Sequence, residues 1–230
     1  MPTEYAQFCP IAKSSELIGE KWTLLLIREL LMGGTRYSDF QRGLGSISPT
    51  LLSKRLKELE ASGLIFKKKI QGQRGYEYFP TESCKELHDI LISLGNWGMR
   101  WTRAHLTDKD YDVELLMLYL QRSILAENLP SAETIISFTF TDMSDKPHWW
   151  LVINEQKVDI CDRDPGKDVD VYFNTSVKTM VAVWTSQTSY RKAINDGQMV
   201  VTGTPSLTKN IPLWMANSVF TDLPPAPQIL

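Results

Sequence analysis

The chain contains no run of about 18 consecutive apolar residues, so its sequence offers no membrane-spanning helix. Its first residues, MPTEYAQFCPIAKSS, show no basic segment followed by a long apolar stretch. That argues against a secretory leader and for a cytoplasmic protein without a membrane partner. Cysteine is scarce: Cys9, Cys84 and Cys161 are far apart and form no CxxC pair, which disfavours a disulfide scaffold or a zinc ribbon. His88, His105 and His148 are equally scattered. There is no nucleophile elbow, no P-loop, no dinucleotide fingerprint and no metal-ligand spacing. No catalytic residue, metal or cofactor is therefore expected, and the chain reads as a non-enzyme. The acidic run Asp162, Asp164, Asp168 and Asp170 lacks the glycine and terminal glutamate of an EF-hand and reads as a solvated loop. No internal repeat is present.

What is present is an ordinary globular composition, 43 % hydrophobic and 23 % charged over 230 residues, which suits one or two domains. The net charge of −2 conceals an asymmetry. Residues 1–105 hold 15 Lys and Arg against 11 Asp and Glu, and residues 106–230 hold 10 against 16. A basic half joined to an acidic half points to two domains with different partners. The polar run Thr107-Asp108-Lys109-Asp110-Tyr111-Asp112 is the expected linker, between a domain over 1–106 and another over 113–230.

In the first half, Cys9–Ile18 and Trp22–Met32 read as helices stopped by Gly19 and by Gly33-Gly34. A short helix starts near Ser38, read as its N-cap. The clearest helix spans Ser48–Ser62. Ser48 suits the N-cap, Pro49 the first turn, Leu52, Leu56 and Leu59 the inner face, and Gly63 the stop. Leu64–Ile70 and Tyr76–Pro80 read as a hairpin around the polar tip Gln71-Gly72-Gln73-Arg74-Gly75. Residues 82–104 read as one long helix whose stripe of Leu87, Leu91, Leu94, Trp97 and Trp101 is wider than a lone helix can hide.

A helix entering a major groove needs one apolar side to pack on its domain and one side of small polar and basic groups. Ser48, Thr50, Ser53, Lys54, Arg55 and Lys57 supply the second side, with Arg55 the first choice for guanine or phosphate. Ser38 precedes them, the hairpin adds Lys67, Lys68, Lys69 and Arg74, and an arginine at a hairpin tip suits a minor groove. Double-stranded DNA is the expected partner.

Cys9-Pro10-Ile11, Ile18-Gly19-Glu20-Lys21-Trp22, Tyr37-Ser38-Asp39-Phe40, Leu51 to Glu60 and Gly63-Leu64-Ile65 together resemble the HxlR family of winged-helix regulators, over about residues 8–104. The resemblance implies a homodimer joined through the first and last helices of this domain, with Leu94, Trp97 and Trp101 at the interface. It also makes Cys9, which matches a cysteine that senses oxidants or electrophiles in some relatives, a redox candidate with Lys13 one turn away. Two departures stand out. Thr81-Glu82-Ser83-Cys84 lacks the family's usual glycine, and the chain runs on for over a hundred residues where the family usually ends.

That second half mixes a helix over Val113–Leu125, strands over 134–141, 148–154, 157–162, 169–174 and 199–203, helices over 177–184, 190–195 and about Leu207–Asn217, and a Pro-rich tail over 223–230. Asp168 to Thr175, Tyr190 to Gly197 and Val200 to Gly203 resemble the sterol-carrier-protein fold. That likeness implies an α+β layer with an apolar cavity for a lipid-like or aromatic molecule. Trp149, Trp150, Met180 and Trp184 are the candidate lining. The whole chain is thus expected to be α+β: a winged helix-turn-helix followed by a sterol-carrier-like sensor. The rival expectation is a lipid or small-molecule carrier whose winged helix serves only to dimerise.

Overall fold

The computed structural model describes residues 4–221 and 223, so the expected tail lies outside the described residues except for Leu223. The chain divides into two compact units, Met1–Trp97 and Gly98–Leu230. The division falls within the helix Leu87–Trp101, which is counted with the first unit although its last turn belongs to the second, and ahead of the polar run 107–112.

The first unit is built from α1 (Pro10–Ile18), α2 (Thr23–Leu31), α3 (Tyr37–Leu44), α4 (Pro49–Ala61), β1 (Ile65–Lys69), β2 (Tyr76–Pro80), α5 (Glu82–Lys85) and α6 (Leu87–Trp101). The start of α4 is closed as its sequence suggests: Ser48 Oγ accepts the Leu51 amide at 3.3 Å and Pro49 needs no partner for its nitrogen. Its end turns at Gly63, whose φ of +73° is free of strain only for glycine, and the Leu64 amide returns to the Leu59 carbonyl at 3.0 Å. At α3 the cap differs from expectation. The Asp39 carboxylate accepts the Thr35 and Arg36 amides at 3.1 and 2.9 Å, whereas Ser38 lies inside the first turn. A carboxylate beside the positive end of a helix is the stronger cap. The stretch expected as one helix over 82–104 breaks at Glu86 into α5 and α6.

β1 and β2 pair antiparallel with Phe66 opposite Phe79, and Arg36 bridges to Glu77 beside them. Leu26, Ile27, Leu30, Phe40, Leu52, Leu56, Leu59 and Cys84 form the buried core of this unit. Each fully buried leucine or isoleucine of that set contributes about 1.5–3 kcal/mol.

The second unit contains α7 (Val113–Ser123), β3 (Glu133–Phe140), β4 (His148–Asn154), β5 (Lys157–Cys161), β6 (Val171–Thr175), α8 (Val177–Trp184), α9 (Tyr190–Asn195), β7 (Met199–Gly203), α10 (Pro205–Thr208) and α11 (Ile211–Trp214). The strands lie in the order β5-β4-β3-β6-β7, with β3 and β6 parallel and the other pairs antiparallel. Phe138 lies opposite both Trp149 and Phe173, which puts alternate residues of three strands on one apolar face. Met117, Met180, Tyr190 and Trp214 join them in a filled core. Where one helix is expected over 207–217, two short ones form, because Pro212 lacks the amide that a continuous helix would use.

The acidic run serves the backbone. Asp170 accepts the Ile135 amide at 2.8 Å and Asp164 the Gly166 amide at 2.8 Å. The Asp170 carbonyl lies so near Gly203, at φ +134°, that a Cβ there would stand 2.1 Å from it; only glycine fits.

Candidate nucleic-acid interface

The outer side of α4 presents Ser48, Thr50, Lys54 and Lys57 to solvent. Ser53 is half-buried and its Oγ donates to the Tyr37 hydroxyl at 3.5 Å; that hydroxyl in turn donates to the Pro49 carbonyl at 2.8 Å. One tyrosine of α3 thereby fixes the end of α4 that would meet base edges first. Ser38 is exposed on α3.

On the hairpin, Lys68 is exposed, with its ammonium 5.4 Å from the Phe66 ring centre and 5.1 Å from that of Phe79. Arg74 is exposed at the tip, between two glycines with positive φ. Lys67 is committed within the protein: it donates to Glu60 at 2.8 Å, and that hydrogen bond raises its pKa.

Arg55 departs from expectation. It is buried, only 5 % exposed. Its Nη2 donates to Glu20 at 2.7 Å, its Nη1 to Glu58 at 2.6 Å and its Nε to the Lys21 carbonyl at 3.1 Å. A guanidinium with all three nitrogens committed inside the protein is not free to read a guanine. The helix period accounts for this: Arg55 follows Leu52 by three positions and precedes Leu59 by four, which places it on the inner stripe rather than the outer face.

Leu94, Trp97 and Trp101 stand 47 %, 56 % and 39 % exposed in a row along α6, and Ile90 continues the row at 55 %. The 3–4 spacing extends the row to Ile90, which the stripe of leucines and tryptophans alone passes over. Ile11 and Leu17 are exposed on α1 as well. Cys9 sits just ahead of α1, and the ammonium of Lys13, one turn on, binds Glu16 at 2.9 Å. Cys84 is buried in the core of this unit, and burial pushes its thiol pKa up.

The four candidates for an apolar cavity do not converge. Met180 is sealed in the core. Trp184 stacks on Tyr119, with 4.9 Å between ring centres, and its indole donates to Ser123 at 2.8 Å. Trp149 and Trp150 are neighbours on one strand and so project to opposite faces of the sheet. Of the four, Trp149 borders an open crevice of about 320 Å³, which Tyr111, Val113 and Met143 share with the charged Asp112, Glu114, Asp145 and Lys146. Sequence alone does not point to Tyr111, because it falls in the polar run that reads as a linker.

The first unit has the architecture of a winged helix-turn-helix protein, and the chain carries a second, sheet-based unit after it. Residues 17–106 match the HxlR-like helix-turn-helix family, and residues 112–211 match the SCP-2 sterol transfer family. The uncharacterized HTH-type transcriptional regulator YvaP of Bacillus subtilis (strain 168) is 32 % identical over 105 residues, which span 45 % of this chain and 97 % of that protein. The uncharacterized HTH-type transcriptional regulator Mb3122 of Mycobacterium bovis is 30 % identical over 130 residues, 52 % of this chain and 82 % of that one. Among solved structures, the redox regulator HypR in its oxidized form is 31 % identical over 40 % of this chain and 95 % of its own, with a TM-score of 0.37. The chain belongs to the HxlR-like helix-turn-helix family of transcriptional regulators, with an SCP-2 domain at its C-terminal side. No helix of the described residues is long and apolar enough to cross a membrane.

Proposed function

We propose that this regulator binds its operator as a homodimer, and that a small apolar or aromatic molecule held by the C-terminal unit modulates that binding in the cytoplasm. The dimer reading is carried by the exposed row Ile90, Leu94, Trp97 and Trp101 on α6. Four large apolar groups along one helix face form the kind of patch that monomers rarely leave to water. The exposed Ser48, Thr50, Lys54 and Lys57 of α4 and Lys68 and Arg74 of the wing are the proposed DNA contacts. Modulation draws support from the SCP-2 match. The reading assigns no catalysis.

The SCP-2 match also favours a second reading, a carrier whose winged helix only dimerises. Titration of the purified protein against a duplex enriched from a random pool, and against its scrambled counterpart, separates the two. A regulator prefers the enriched duplex, and the preference persists as salt is raised. A carrier shows none, yet takes up a fluorescent fatty-acid probe. An enriched-duplex affinity that no tested apolar ligand changes would remove the effector from the proposal and leave the regulator.

A further inference from the structure

We infer that Arg55 is a positioning residue for sequence readout: it clamps the recognition helix at a set rotation on the scaffold and touches no DNA itself. The inference rests on the reading that α4 enters the groove.

Beside the Tyr37 bonds at its first turn and the Lys67–Glu60 pair near its end, two kinds of contact hold the middle of α4. The first is apolar, from Leu52, Leu56 and Leu59. Such contact is strong but non-directional, and it tolerates small rotations and slides of the helix. The second is the Arg55 fork, whose bonds run in fixed directions from a planar group. Two of them, to Glu20 and the Lys21 carbonyl, leave α4 altogether and end on the turn that leads into α2. The third, to Glu58, lies within α4 and sets the guanidinium plane.

The anchor of the fork is itself an unusual piece of backbone. Trp22 has a φ of +78°, the left-handed region that a bulky residue rarely adopts. Such a conformation persists only where its surroundings hold it. The Lys21 carbonyl belongs to the peptide joining Lys21 to Trp22, so the bond from Arg55 Nε holds the plane of that peptide. The same fork therefore holds a strained turn and fixes the recognition helix in space. Side chains that read bases need placement to about 0.5 Å. Lys54 and Lys57, on either side of Arg55 in the helix, carry charge outward while Arg55 carries geometry inward.

The test uses the full-length protein, the enriched duplex and its scrambled counterpart, with R55Q, R55K and E20A. Each variant is expected to bind the enriched duplex about tenfold or more weakly, comparable to the effect of one mismatched base pair, while R55Q and R55K bind the scrambled duplex as wild type does and E20A binds it no more weakly. R55K keeps the charge and loses the fork, so its weakening isolates geometry. E20A removes a negative charge near the DNA, which by attraction alone would tighten both complexes; the clamp requires it to weaken the specific one. The salt dependence of R55Q on the scrambled duplex should equal that of wild type. A fall of about 0.9 in that slope would place Arg55 on a phosphate and overturn the inference. So would specific affinity in R55K and E20A equal to or tighter than wild type. Thermal melts show which variants fold, and E20A, altered at a partly exposed carboxylate, is the variant least exposed to loss of folding. A wild-type protein that fails to discriminate the two duplexes would overturn the DNA reading and the clamp together, an outcome distinct from variants that match a discriminating wild type.

Discussion

The Glu29 carboxylate lies against the α-carbon of Gly43: a Cβ added there would stand 2.1 Å from Oε2. Glu29 is fully buried, and Arg28 bridges the same two helices by binding Glu29 at 2.8 Å and donating to the Gly43 carbonyl at 3.0 Å. The Arg28 hydrogen bond to the Gly43 carbonyl and a missing side chain thus seat α3 against α2. Substituting Gly43→Ala forces a buried carboxylate aside, and overpacking of this kind costs about 1–3 kcal/mol. Urea unfolding of G43A should show that loss, and wild-type stability in G43A would remove this account of the α2–α3 seat.

The α6 row makes a prediction about assembly. Trp97→Glu puts a charge at the centre of the apolar face, where an unpaired charge cannot be buried cheaply. On the proposed dimer, sedimentation should give a dimer for wild type and a monomer for W97E, whose melting curve should not shift with protein concentration. A W97E protein that sediments as wild type does would place any self-association elsewhere.

The exposed lysines predict a pattern across salt concentrations. Lys54→Ala, Lys57→Ala and Lys68→Ala should each weaken binding to enriched and scrambled duplexes alike. Removing a lysine that neutralises one phosphate lowers the slope of log affinity against log salt by about 0.9. Lys67→Ala should leave that slope unchanged, since Lys67 is bound to Glu60. A lysine whose removal leaves the slope intact does not touch the backbone of the duplex.

The two cysteines of the first unit should differ in reactivity. Cys9 is partly exposed, whereas Cys84 is buried with its thiol pKa raised by that burial. Its folded pKa exceeds the unfolded one, so its contribution to stability is complete below the ordinary thiol range and is lost as pH rises through it. Native protein treated with iodoacetamide near neutral pH should be labelled at Cys9 and not at Cys84, as read by mass spectrometry. Labelling of Cys84 at the rate found in urea would show that the core opens over it.

Much of the molecule is legible along the chain where one local rule suffices. Ser48, Pro49 and Gly63 bracket α4 because capping and turn chemistry act within a few residues. The strands over 148–154 and 199–203 and the helices over 177–184 and 190–195 fall where alternation and caps put them. The cap of α3 is ambiguous along the chain because Ser38 and Asp39 are adjacent and both can accept an amide; backbone direction chooses between them.

Apolar periodicity and turn residues encode most elements and their order, while the winged helix-turn-helix and the sterol-carrier-like unit are read from resemblance to known families. Periodicity places Leu94, Trp97 and Trp101 on one face of α6, but packing decides that Leu87 and Leu91 turn to the core and that Ile90 completes the exposed row. Where long side chains end is settled only by packing. Arg55 reads as a DNA contact until Glu20, thirty-five positions away, comes within 2.7 Å of it. The tryptophans at 149, 150 and 184 read as one cavity wall until strand alternation and a tyrosine separate them. A guanidinium or an indole has reach enough to choose among several neighbours, and the neighbours exist only once distant segments pack.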